Sequence, residues 1–233
     1  IVFPEMALTG YPPEDLLFRD GFMTQVEKEI DYLCDSTPSS ISVLFGAPSR
    51  NDDFLFNSAY CIQNNRISHV YHKQELPNYG VFDEKRYFSS GNQSYVFECQ
   101  KTKIGVLICE DQWIDGPISK LCQLDVDIVI SLNASPFQAE KHKDRLNICK
   151  NYASEFEVSY IYVNMVGGQD EVVFDGNSFV LDSEGTLVQQ LPEFKEHSCL
   201  HTDSMQNFDP VMLEESIYSA LVLATRDYIQ KNS

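Results

Sequence analysis

The sequence predicts a layered α/β fold, with a mixed sheet or two sheets and helices on the outside. Short apolar runs of strand length outnumber stretches with helical periodicity. Several of those runs pair across polar turns as hairpins, and others alternate with helices as strand–helix units.

Ile1-Val2-Phe3 reads as the end of a buried strand, stopped by Pro4, with Glu5 at its C-terminal edge. Thr9 to Pro13 is a rigid loop. Phe22, Val26, Ile30 and Leu33 recur at helical spacing, so Gly21 to Cys34 is an amphipathic helix. Ile41 to Ala47 is an apolar strand that Gly46 and Pro48 should end. Phe54–Ile62 and Ile67–His72 flank the polar turn Gln63 to Arg66 as a hairpin, and Lys73 ends its second strand. Leu76 to Tyr87, with Pro77, Asn78 and Gly80, is an ordered loop.

Ser94–Cys99 and Lys103–Ile108 form the next strand pair, with Cys109 directly after it. Asp127 to Asn133 is a nearly continuous apolar strand. Leu146, Cys149, Ala153 and Phe156 define a helix face within 139–156. Val158 to Val166 is a further strand that Gly167-Gly168 should break. Asn177–Asp182 and Thr186–Leu191 form a hairpin over Ser183-Glu184-Gly185. His197 to Thr202 is a candidate last strand. Leu213 to Ile229 is a helix whose expected buried side is Ile217, Leu221, Ala224 and Tyr228. The chain opens at Ile1 inside an apolar run and without Met, which reads as a start in mid-strand. No repeat and no linker divides it, so residues 1–233 are expected to form one domain.

Composition narrows the function. The 233 residues are 43% hydrophobic and 22% charged, which is ordinary for a globular chain that buries a core without staples. No apolar run approaches the ~18 residues that would span a bilayer. Lys and Arg total 17 against 35 Asp and Glu, a formal net charge of -18. Such a surface repels phosphate backbones, and no local basic patch offsets it, so neither nucleic acid nor membrane is an expected partner. Seven cysteines, an odd number at irregular spacing with no CxxC pair, fit neither a disulfide framework nor a zinc ribbon. They point to a reduced, cytoplasmic protein with mostly buried thiols, and no metal-ligand cluster is visible.

Glu5, Lys73 and Cys109 each follow closely on an apolar strand. Strand ends are where α/β proteins build ligand sites, so three neighbouring strands would bring these side chains together. An arbitrary cysteine is a core thiol. Cys109 differs, because a sharp strand-to-loop turn exposes its sulfur beside backbone N–H groups, as a nucleophile with an oxyanion hole requires. None of the five histidines lies in a papain-type block, so Glu5 is the better base candidate and Lys73 a candidate cation for a thiolate or oxyanion, although taken singly the first reads also as a solvated or capping acid and the second more readily as an exposed strand-end lysine.

Phe3 to Tyr11 (FPEMALTGY), Tyr71-His72-Lys73 and Gly105 to Asp111 (GVLICED) resemble the three blocks of the nitrilase, or carbon–nitrogen hydrolase, superfamily. Gly10 to Leu17, Leu76 to Phe88 and the tail Glu214 to Ile229 resemble the glutaminase domains of glutamine-dependent NAD synthetases. The resemblance implies an αββα four-layer sandwich that lacks its first strand here, with 211–233 a helix leading toward an absent synthetase domain. It implies a Glu5–Lys73–Cys109 triad that releases ammonia from L-glutamine through a cysteine thioester. Glu84, seven residues before Gly91, supports Lys73, and the Glu110 N–H joins the oxyanion hole. Tyr79 and Ser135 bind the substrate, Arg145 adds a cation for its carboxylate, and Tyr11 lines the pocket. Gly167 to Asp170 and Phe174 to Ser178 are scaffold, and Trp113 is core or interface. The glutaminase step needs no cofactor. ATP, Mg and deamido-NAD belong to the synthetase domain, whose phosphate loops are absent from this sequence, and a homo-oligomer is expected. The alternatives are another nitrilase-type amidase or carbamoylase, and a non-catalytic regulatory domain with the same fold.

Overall fold

A computed structural model describes residues 1–52, 54–201 and 211–233. Its elements, in chain order, are α1 (Asp20–Ser36), β1 (Val43–Asn51), β2 (Phe54–Gln63), β3 (Arg66–His72), β4 (Tyr95–Cys99) and β5 (Thr102–Ile108). Then come α2 (Pro117–Cys122), β6 (Ile128–Asn133), α3 (Lys141–Phe156), β7 (Ser159–Asn164), β8 (Val166–Gln169) and β9 (Val172–Asp175). The last are β10 (Phe179–Leu181), β11 (Leu187–Gln190) and α4 (Leu213–Lys231).

Two sheets lie face to face between helices. The antiparallel meander β1-β2-β3 is one, and the mixed sheet β11-β10-β7-β6-β5-β4, parallel only across β5-β6-β7, is the other. Period-two alternation divides the core. Ala59 and Cys61 of β2, with Leu44 and Tyr71, meet Tyr95, Phe97, Val106, Ile108, Ile130 and Leu132 between the sheets. Tyr60 and Ile62, from the other face of β2, pack with Phe45 against Val26, Ile30 and Cys34 of α1. The outer face of the six-stranded sheet packs Leu107, Val129, Tyr160 and Phe179 against Ile118 and Leu121 of α2 and Cys149 and Ala153 of α3. The layer order is therefore helix, sheet, sheet, helix, as the resemblance implied.

Several local expectations need correction. β1 runs through Gly46 and Pro48 to Asn51. The N–H and C=O of Gly46 bond to Pro4 and Leu8 on the side away from β2. Pro48 shares that side two residues on, where its missing N–H costs no bond to β2. Gly167 and Gly168 do not break a strand but lie within β8, which pairs with β9. Residues 197–201 form no strand, and Thr202 lies outside the described residues. α4 buries Ser216, Ala220, Leu223 and Asp227, whereas Leu221 and Tyr228 are 62% and 59% exposed. Its docking is partly apolar, through Ala220 and Leu223 beside Phe194 and Val166, and partly polar: Asp227 accepts the Gly168 N–H, and Lys231 donates to the Gly168 carbonyl.

Candidate active site

The parallel strands β5, β6 and β7 end on one edge of their sheet, which is where such sheets place ligands. Cys109 follows β5, Ala134-Ser135 follow β6, and Asn164 closes β7. Glu5 reaches the same place from the N-terminal segment, which runs parallel beside β1 at the Val2–Leu44 bridge, and Lys73 from just past the end of β3.

The structure brings Glu5, Lys73 and Glu84 together. Lys73 Nζ donates to Glu5 Oε1 at 2.8 Å and to Glu84 Oε1 at 2.7 Å, all three side chains being buried. Asn57 Nδ2 donates to Glu5 Oε1 at 2.6 Å, and the Ala134 N–H to Glu5 Oε2 at 2.7 Å. Tyr11 donates its hydroxyl to Glu84 Oε1 at 2.8 Å. Two atoms in this cluster are buried without a hydrogen-bond partner: Asn57 Oδ1 and Glu84 Oε2.

Two glycines let the backbone carry these groups so close. A Cβ on Gly46 would stand 2.3 Å from the Met6 nitrogen and 2.6 Å from the Glu5 Cα. A Cβ on Gly91 would stand 2.2 Å from the His72 carbonyl oxygen, and the Gly91 N–H bonds the Lys73 carbonyl.

Cys109 opens a 3-10 turn, Cys109–Gln112, with φ of 44°, a left-handed conformation that few non-glycine residues adopt. The thiol is 4% exposed. Burial pushes its pKa well up, the charges of Glu5 and Glu84 push it further, and Lys73 opposes them. The sulfur is therefore a protonated thiol at neutral pH and needs a base to become a nucleophile. Burial alone would lower the Lys73 pKa, but Glu5 and Glu84 outweigh it and hold the ammonium well above its usual range. Burial lifts Glu84 to about 7, against the pull of Lys73 and with the help of Glu5.

The other predicted site residues divide. Tyr79, 59% exposed, donates its hydroxyl to both carboxylate oxygens of Glu110 at 3.0 Å, beside the nucleophile. Ser135 is buried, and its N–H bonds Asn164 Oδ1 at 2.9 Å. Tyr11 lines two clefts, one of them shared with Glu84, and donates its hydroxyl to Glu84.

Arg145 contradicts its assignment. It is fully buried, and all five N–H donors are spent: two on Asp175, and the rest on the Ser135 hydroxyl and the Ser135 and Pro136 carbonyls. No donor remains for a substrate carboxylate. The same ion pair gives Asp175 a clear structural role inside the segment read only as scaffold.

Three residues escaped the sequence reading, the first of them Asn57, which donates to Glu5. Lys141, four residues before Arg145, places its ammonium 3.9 Å from the centroid of the Trp113 ring, just past the Cys109 turn. Asp111 is wholly buried and accepts four hydrogen bonds around that turn. The position of Lys141 at the start of α3 was readable; the partners of Asp111 were not. Among the described residues no cluster of His, Cys, Asp and Glu could hold a metal ion, and no helix is long and apolar enough to cross a membrane.

A buried carboxylate–ammonium–thiol cluster at the strand ends of an αββα sandwich defines an amide-hydrolase type of site. The carbon–nitrogen hydrolase family model matches residues 1–206, and the chain belongs to that family. More particularly, it is similar to the glutamine-dependent NAD(+) synthetases of Acinetobacter baylyi, 38% identical over 241 residues, and of Synechocystis, 37% identical over 258. Those alignments cover 100% and 99% of this chain but 44% and 46% of the relatives, so it spans about half their length. The structure of the Acinetobacter baumannii glutamine-dependent NAD+ synthetase with ADP superimposes with a TM-score of 0.93 at 39% identity, over 99% of this chain and 45% of that one. An amidase from Nesterenkonia shares the fold, with a TM-score of 0.71 at 19% identity, over 82% of this chain and 72% of that one.

Proposed function

We propose that this chain is a glutaminase unit: it hydrolyses the side-chain amide of L-glutamine and releases ammonia for an ATP-dependent step that amidates deamido-NAD. The observation that carries the reading is the shared hydrogen-bonding of Glu5 and Glu84 to one lysine beside a thiol that feels all three charges.

In this reading Glu5, with the Ala134 N–H and Asn57 holding its carboxylate, takes the proton of Cys109 as the sulfur attacks the amide carbon. The oxyanion is met by the Lys73 ammonium and the Glu110 N–H, a donor of this kind being worth ~3–4 kcal/mol in the transition state. Glu5 returns the proton to the departing ammonia. It then deprotonates a water that cleaves the γ-glutamyl thioester, and the thiol recovers its proton. Glu84 keeps Lys73 charged and aimed.

Tyr79 and Ser135 bind the amino-acid end of the substrate. Lys141 takes the carboxylate-binding role that Arg145 has no donor left to fill. It is chemically suited to that role, as a half-buried cation whose neighbour is an aromatic face rather than an acid.

ATP, Mg and deamido-NAD belong to this reading only through a synthetase partner. The residues of this chain supply neither a phosphate loop nor a metal-ligand cluster for them among the described residues, and no step above passes through them. Residues 1–233 act as one unit, with α4 leading toward that synthetase part. The protein works as a homo-oligomer in the cytoplasm, in keeping with the apolar side chains that α4 leaves exposed. The test is ammonia release from glutamine against a panel of small amides. Release from glutamine alone, lost in Cys109→Ala, supports the reading; preference for another amide or a carbamoyl compound refutes the substrate, and no release from any of them refutes the enzyme.

A further inference from the structure

Lys73 and Cys109 immediately follow strands from different sheets, β3 and β5. Their relative position has to be fixed by something that spans the gap, and one side chain does so. Asp111 Oδ1 accepts the N–H groups of Gln74 at 3.0 Å and Glu75 at 2.8 Å, the two residues immediately after Lys73. Asp111 Oδ2 accepts the N–H of Ile108, immediately before Cys109, at 3.0 Å, and the Tyr71 hydroxyl at 2.7 Å. Tyr71 lies two residues before Lys73, and Gln74 Nε2 donates to its hydroxyl at 3.2 Å, which orients it.

We propose that Asp111 is a positioning residue, the carboxylate that couples the strained Cys109 turn to the chain segment carrying Lys73 and so sets the attack geometry. The inference rests on the glutaminase reading of the site.

Three physical points support it. A left-handed φ at a side-chain-bearing residue is strained and persists only where its surroundings hold it. Cys109 has that conformation, and the acceptor that grips the preceding residue is Asp111. A fully buried carboxylate without a bonded cation is costly unless donors surround it, and four donors surround this one. Burial lifts its pKa to about 6, while the Glu75 N–H, the Tyr71 hydroxyl and the Ile108 N–H pull the other way and favour the carboxylate form. Finally, every donor belongs to a residue that flanks a catalytic candidate, so releasing the carboxylate frees both partners at once. Nothing in the chemistry requires Asp111 to touch the substrate.

Asp111→Asn keeps the shape but places an amide N–H against donors. In the full chain, ammonia release should fall ~10- to 100-fold in kcat with a much smaller change in KM, as for a misplacement of about 1 Å. The pH profile for alkylation of Cys109 by a glutamine-like electrophile should shift as well. Tyr71→Phe removes a single bond and should move both readouts in the same direction by a smaller factor; it decides the matter if Asp111→Asn fails to fold. Lowered thermal stability with wild-type kcat and an unmoved alkylation profile in the folded variant would overturn the positioning role. Ammonia release that survives Cys109→Ala would instead remove the underlying reading of the site, and this role with it.

Discussion

Two buried ion clusters lie near one another in this protein, and they are satisfied to different degrees. Around Arg145 every guanidinium N–H has an acceptor, and both oxygens of Asp175 are engaged. Around Lys73, Glu84 Oε2 and Asn57 Oδ1 have no partner, two carboxylates compete for one ammonium, and a thiol lies in their field. The first arrangement fixes a loop, because any change in charge leaves a buried ion unpaired. The second has capacity to spare for a substrate and for a moving proton. Buried charge alone therefore does not mark a catalytic group; incomplete satisfaction beside a nucleophile is the more telling sign.

The contrast is open to direct attack. Cys109→Ala should lower ammonia release roughly 10⁴-fold or more at unchanged thermal stability, and retained turnover in a steady-state assay would refute the nucleophile. Arg145→Met should do the reverse: lose ~3–5 kcal/mol of stability by stranding Asp175, read from the denaturant midpoint, while folded protein still reacts at Cys109 with a glutamine-like electrophile. Should that variant prove as stable as wild type, the two clusters would not differ as described. Lys73→Met should cost ~10²–10³ in kcat, with KM nearly unmoved, as befits a group that meets the oxyanion.

The smallest effect concerns pH. Glu84 has a folded pKa of about 7 against an ordinary value of 4.5, so the folded protein holds its proton more tightly than the unfolded chain. Its contribution is fully stabilising below about 4.5 and is lost as pH rises through about 7. Stability relative to Glu84→Gln should therefore decline across that window, by at most ~1.4 kcal/mol per pH unit. Parallel stability–pH curves for the two proteins would contradict the assignment.

The meeting of Glu5 and Lys73 was legible only in part: Lys73 and Cys109 follow β3 and β5 as expected, but Ile1-Val2-Phe3 is no buried strand, touching β1 through the single Val2–Leu44 bridge with Ile1 and Phe3 exposed. Glu84 was found through its place before Gly91 rather than through any local pattern. The misreading of Arg145 has a definite cause. Helical spacing ranks residues by hydrophobicity, so Leu146 defined the expected face of α3, while the fold turns Arg145 inward toward an aspartate 30 residues away. α4 fails by the same logic: its buried face combines Ala220 and Leu223, packed near Phe194 and Val166, with Asp227 bonded to β8, and leaves Leu221 outside. α2, only six residues long, is too short to show a period. Long-range polar pairing, the device that builds Asp111 into the Cys109 turn, leaves no periodic trace in a sequence.

Gly46 and Gly91 give the site a hidden fragility. Neither carries a functional group, and neither lies beside the triad along the chain, yet each occupies a spot where one added methyl would collide with the main chain bearing Glu5 or preceding Lys73. A survey that follows only ionisable side chains would score both positions as neutral. Attempts to reshape this pocket by mutagenesis should treat these two bare α-carbons as fixed points, on a par with the sulfur itself.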